Sequence, residues 1–219
     1  MKKIILILIL FLSIWFIYNN TVDKKNNYLV LGNDLSIGED NYSLYVKDYL
    51  DNKNILGNYN TSFVDLDLRI TDLINKIKYN ESVKINNKTV GINMLLKNAD
   101  VITISIGMNE LYYKLSINNE NIYTYMNGMV NDLEILFNLI NRYNQKKVFV
   151  INYYNIYNYN KDIFNYINYY LEELCDKENF NYIDVDDLNN NILYYENSNN
   201  FYLNRYGNKV IGYFIIDRL

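Results

Sequence analysis

The sequence contains no histidine and no proline, and only one cysteine, one tryptophan and one alanine (Ala99). Each absence excludes something. Without histidine, no side chain has an unperturbed pKa near neutrality, so the usual proton shuttle is missing. A single cysteine, Cys175, excludes an intrachain disulfide framework and a cysteine metal cluster. It follows Tyr169 to Leu174 in a stretch of helical spacing and reads as a small buried hydrophobe rather than a reactive thiol. The basic clusters that stand out, Lys2-Lys3 and Lys24-Lys25, are only pairs, and the net charge is −4, which leaves no footprint for nucleic acid. What abounds is Asn, Ile, Lys and 25 tyrosines, a bias that reads as A+T-rich coding rather than as function. The 219 residues, half of them hydrophobic, suffice for one good-sized core.

The N-terminus carries a targeting pattern. After Lys2-Lys3 comes IILILILFLSIWFIY, and no charge appears from Ile4 to Val22. As a helix this apolar stretch spans roughly 22 Å, somewhat short of a bilayer's ~30 Å hydrocarbon core. No small-residue cleavage site follows it, since Tyr18, Asn19, Asn20 and Thr21 flank it. Residues 1–22 are therefore expected to be an uncleaved signal anchor, with a removed signal peptide and secretion as the alternative. Residues 23–27 form a tether and 28–219 the folded domain. The positive charges at Lys2 and Lys3 predict an inside N-terminus, with the C-terminal domain outside a membrane crossed once.

Beyond the tether, β-rich runs at Tyr28–Leu31, Ser62–Leu66, Val101–Ile106, Val148–Ile151 and Tyr182–Val185 alternate with helical spacing. The helical stripes are Ile122, Met126, Met129, Val130, Leu133, Phe137 and Ile140; then Ile163, Ile167, Tyr170, Leu171 and Leu174; and finally Val210, Ile211, Phe214 and Ile215. They read as core-facing packing. The run at 101–106 is almost continuously apolar, as a central parallel strand must be. The alternation predicts an α/β fold with a five-stranded, doubly wound parallel sheet. Ligands on such sheets bind beyond the strands' carboxyl ends. Two polar turns lie there: GNDLSIG, residues 32–38, after the first strand, and GMNEL, residues 107–111, after the third.

These turns, together with NNFYLNRYGNKVI near the C-terminus, resemble the blocks of the SGNH (GDSL) hydrolases in their fixed order. The resemblance implies a flavodoxin-like sheet. Gly32-Asn33-Asp34-Leu35-Ser36-Ile37-Gly38 stands where the family has G-D-S-L-x-x-G, and Gly107-Met108-Asn109-Glu110 matches G-x-N-D. The last block looks like D-x-x-H-L-N-x-x-G, with Leu203, Asn204 and Gly207 keeping its frame. By resemblance Gly32, Gly107 and Asn109 shape the turns, and the Asn109 amide serves an oxyanion. Asp34 holds the nucleophile's place, Asn199 the acid's and Tyr202 the base's. The second block, which carries an oxyanion glycine, is not recognisable, because residues 59–80 hold no glycine.

The substituted triad sets the functional expectation. A serine nucleophile needs an adjacent base, and the base an orienting acid. A phenol such as that of Tyr202, with an unperturbed pKa near 10, is ionised about one part in a thousand at pH 7. Three rescues are weaker. Ser36, as a shifted nucleophile, has turned away from the elbow and still lacks a base; it suits a turn or cap. Asp34 as a carboxylate nucleophile would need activated water to turn over. Asp34 with Glu110 as a metal pair offers too few ligands, and Glu110 suits a backbone hydrogen bond better. The chain is expected to need no cofactor or metal. The leading expectation is a membrane-anchored, catalytically degenerate hydrolase-like protein retaining at most a pocket for a glycan or acyl ligand. An active esterase with an atypical site and a structural envelope protein are the alternatives. The tyrosines Tyr153, Tyr154, Tyr157 and Tyr159 fall near the expected site, though with so many tyrosines chance accounts for them.

Overall fold

The structure is a computed structural model that describes residues 25–33, 35, 38, 40–117, 120–155, 160–189, 191–196 and 202–219. The apolar segment 1–22, the tether to residue 24, Asp34, Ser36, Tyr157, Tyr159 and Asn199 lie outside the described residues. No helix among those described is long and apolar enough to cross a membrane.

In chain order the elements are β1 (Asn26–Gly32), α1 (Tyr42–Asn52), β2 (Leu56–Val64), α2 (Ile70–Lys78), β3 (Ser82–Ile85), β4 (Lys88–Gly91), α3 (Ile92–Asn98), β5 (Val101–Ser105), α4 (Met108–Ile117), α5 (Ile122–Tyr143), β6 (Lys147–Ile151), α6 (Lys161–Glu178), β7 (Asn181–Ile183) and α7 (Arg205–Ile216). Five strands form one parallel sheet in the order β2-β1-β5-β6-β7. The chain steps outward from β1 to β2, then crosses back to β5 and continues the other way. α1 packs on α7, while α2, α3, α4 and α6 gather around α5. Right-handed crossovers place these two groups on opposite faces of the sheet.

The central strand is as expected: every residue of β5 is buried, because helices cover both its faces. The stripe of α5 points inward through Ile122, Met126, Met129, Leu133, Phe137 and Ile140. On α6 the buried row is Ile163, Ile167, Leu171 and Leu174, with Cys175 fully buried beside it. Tyr170 departs from the expected stripe, being 36% exposed, because it stacks on Tyr166 and Tyr169 across the helix surface. Ile211 and Ile215 anchor α7.

Two further differences have physical causes. β2 begins at Leu56, not Ser62, and ends at Val64. It is an edge strand paired only to β1, so polar Asn58 and Asn60 are tolerated and mask the apolar pattern. The hairpin β3–β4, absent from the sequence reading, turns through Asn86 and Asn87 at φ +48° and +64°. Two successive positive φ values are the geometry of a two-residue hairpin turn.

Candidate functional site

The switch in strand order falls between β1 and β5, and the turns at Gly32 and Gly107 lie side by side at its carboxyl edge. Gly32 pairs with Ser105 in register, so the two glycine turns leave neighbouring strands side by side. At Gly32 φ is +147°, and a Cβ would stand 2.0 Å from the Ser105 carbonyl oxygen. Only glycine lets β1 turn this close to β5. The next residue locks the turn, Asn33 N–H donating to the same Ser105 carbonyl at 2.9 Å. Asn33 is 1% exposed, and its Nδ2 finds no hydrogen-bond partner.

The second turn is held from below. Gly107 has φ +91°, and a Cβ there would lie 2.5 Å from the Tyr153 hydroxyl. That hydroxyl donates to the Ile106 carbonyl at 3.1 Å, and the ring is 2% exposed. Asn168 clamps the Tyr153 backbone through both its N–H and its C=O. Burial raises the Tyr153 pKa, so the phenol stays a neutral donor. Tyr154 is also buried. Tyr153 supports the turn and the Tyr154 ring packs 6.1 Å from the Tyr195 ring; neither is a rim aromatic.

Asn109, at the start of α4, donates from Nδ2 to the Leu66 carbonyl at 3.0 Å. Leu66 lies in the loop after β2, whose Asp65 N–H donates to the Gly32 carbonyl at 3.1 Å. This glycine-free loop therefore flanks the two turns. Part of the Asn109 amide is spent on orienting it.

Glu110 caps α2: its Oε2 accepts from the Ile70 N–H at 3.0 Å. This is the backbone role that the sequence favoured over metal binding. Burial raises the Glu110 pKa, opposed by the Ile70 hydrogen bond and by Arg69. Among the described residues no group of His, Cys, Asp and Glu converges as a metal site would.

The third block stands at the same edge. α7 follows β7 and runs back to the strands' amino ends, where the Leu219 carbonyl accepts from Lys147 at the start of β6. Its beginning is thus at the carboxyl edge. Asn204 caps it, accepting from Tyr206 and Gly207 N–H at 2.8 and 3.2 Å. The Asn204 amide donates to the Leu193 and Tyr195 carbonyls, pinning the preceding segment. A Cβ on Gly207 would come 2.6 Å from the Tyr194 carbonyl oxygen. Leu203 is buried and bridges Tyr195. Tyr202 is 40% exposed beside them. Two contacts tie this block to the exit of the first. Arg205 Nε lies 3.7 Å from Asp40 Oδ1, and Asn208 Oδ1 accepts from Tyr42 N–H at 3.1 Å. Asn208 was not read as a site-shaping residue; its position in the helical tail of the block was the available signal.

No family model matches the sequence, and no curated protein matches it significantly. Solved structures do. A lipase from a goat rumen metagenome superposes with a TM-score of 0.73 at 16% identity, covering 88% of this chain and 97% of its own. An acetylxylan esterase from Geobacillus stearothermophilus gives 0.64 at 14% identity, covering 90% and 94%. An acetyl xylan esterase, AlAXEase, gives 0.62 at 16%, covering 88% and 99%. The chain has an esterase-type α/β hydrolase fold. The resemblance carried by the three sequence blocks extends to the backbone over most of the domain.

Proposed function

We propose that this protein is an esterase-fold domain whose hydrolytic triad has been replaced, and that it keeps a pocket at the ends of β1 and β5 for a glycan or acyl-bearing ligand. Residues 1–22 hold it at the membrane with the domain outside. The absence of any histidine from all 219 residues carries this reading. Structures of the Geobacillus esterase include catalytic mutants at a serine and at a histidine. Here, by resemblance, those places fall to Asp34 and Tyr202. Glu110, the nearest carboxylate of the second turn, is committed to the α2 cap and does not replace the base.

Electrostatics point the same way. An oxyanion hole works because its donors face charge that develops only in the transition state. A permanent carboxylate from Asp34 at that place would satisfy those donors in the resting state and repel an incoming oxyanion. A site lacking its triad still keeps about 10³-fold over water from such donors and from binding; the carboxylate removes most of that remnant.

The test is hydrolysis of a short p-nitrophenyl ester by the wild type, Asp34→Asn and Asp34→Ala. None should turn over substrate saturably. Saturable wild-type turnover that disappears in both variants would make Asp34 a working nucleophile and end the non-catalytic reading. Asp34→Ser, Asn199→Asp and Tyr202→His introduced together should restore weak esterase activity on this scaffold.

A further inference from the structure

We infer that the edge of the domain opposite the site is a binding surface for anionic lipid headgroups, which turns the site away from the membrane. This rests on the proposed reading of residues 1–22 as an anchor.

The chain enters the fold at Lys25, at the amino end of β1, the strand that ends at Gly32. Seven residues of strand span about 23 Å, so the anchor attaches on the side of the sheet away from the site. Around that entry the fold gathers cations that are scattered in sequence. Lys53 precedes β2, Lys97 ends α3, Arg142 ends α5, and Lys146 and Lys147 lead into β6; all are exposed. Lys97 and Arg142 sit in last helical turns, where the helix dipole explains a cation. Lys53 is the C-cap of α1 and shares that explanation; Lys25, Lys146 and Lys147 lie outside helices, and the dipole does not account for them.

The acids on this edge do not cancel the patch. Asp100 has a side chain only 10% exposed, and it is held by Lys146 at 2.9 Å and by the Asn27 N–H. Asp51, Asp176 and Asp217 remain as exposed countercharges, and exposed Glu81 pairs with Lys76 at 2.7 Å. The carboxyl edge has the opposite character. Asp40, Asp65, Asp67, Asp184, Asp186 and Glu196 are exposed at or just beyond the strand ends and helix starts there, against the exposed cations Arg69, Lys161 and Arg205. Positive charge thus lies at the anchor end and negative charge at the site end. That polarity presents the first to an anionic bilayer and repels the second from it. The site's ligand must then arrive from the aqueous side, which favours a glycan-borne group over a lipid of the same bilayer.

The test uses the full chain reconstituted in neutral phosphatidylcholine vesicles and in vesicles containing phosphatidylglycerol. Single labels are placed at Asn98→Cys on the basic edge or Tyr206→Cys on the site edge; Cys175 is fully buried and takes none. In anionic vesicles a lipid-borne quencher should reach position 98 and not 206. That contact should vanish in neutral vesicles, in about 0.5 M salt, where the Debye length is about 4 Å, and in the variant Lys53→Glu/Lys97→Glu/Arg142→Glu. Equal quenching at 98 in both lipids, or quenching at 206 instead, would overturn the inference. Failure to float with neutral vesicles would remove the anchor but not the basic edge. Anionic-vesicle partition would then decide, since at about 5-fold per charge the triple reversal should lower it at least about 100-fold. An unchanged partition would overturn the inference in that case.

Discussion

At Gly32 two strands approach so closely that a methyl group would overlap the Ser105 carbonyl, in a backbone conformation that L side chains rarely adopt. Gly32→Ala should therefore cost about 3 kcal/mol, from strain and displaced β1–β5 pairing together. It would be read as a lower urea midpoint at unchanged slope. Glu110 makes a prediction about pH. Its folded pKa is raised above the ordinary 4.5, chiefly by burial. The neutral form is thus favoured in the fold. The stability it contributes is full below about 4.5 and is lost as pH rises through the raised value. Glu110→Gln keeps an acceptor for Ile70 N–H and should flatten this part of the stability profile in pH-dependent melting. Glu110→Ala should flatten it as well and, lacking an acceptor for the Ile70 N–H, lie about 1 kcal/mol below Glu110→Gln, the worth of a helix cap.

At the scale of elements, asparagine does what proline and glycine do elsewhere. Every non-glycine residue with positive φ among those described is an asparagine: Asn54, Asn80, Asn86, Asn87, Asn121 and Asn179. Its short amide tolerates the left-handed region better than other side chains. Asn41, Asn160 and Asn204 also cap α1, α6 and α7 with their side chains. The asparagine excess, whatever its genomic origin, is thus put to structural use. Asn208 joins elements rather than ending one. It accepts from the Tyr42 N–H that opens α1 and donates to the Leu203 carbonyl at 3.0 Å. Asn208→Ala should destabilise the domain by about 2 kcal/mol, because both buried partners lose their bonds. Amide hydrogen exchange should quicken at Tyr42 before the sheet core.

Over the whole molecule, the fold is shared with lipases and xylan esterases at identities of 16% and below in the structures compared. A shared fold does not carry an activity with it. On the proposed reading the common scaffold carries three altered triad places and charge separated along the strand direction, while Glu110 caps α2. Parallel strands make that separation possible. Gly32 and Gly107 turn at one edge of the sheet, where α1, α2, α6 and α7 start, and those helices end at the other.

The sequence by itself determined the alternating elements, the buried centre at β5, the inertness of Cys175 and the pairing of Gly32 and Gly107 at neighbouring strand ends. These follow from local periods and from turns that only glycine makes. It also pointed Glu110 to a backbone partner, since a lone carboxylate at a helix start suits an N–H better than a metal. Tertiary structure alone decided the rest. The Leu66 carbonyl came to accept from Asn109, Tyr153 came to support Gly107, Asn208 reached Tyr42, and Lys25, Lys53, Lys97 and Lys147 came to share one edge. Each of these joins residues tens of positions apart, and such neighbours exist only once strand order and crossover direction are set. Before that, the lysines are isolated charges on a chain of net charge −4; afterwards they form a surface.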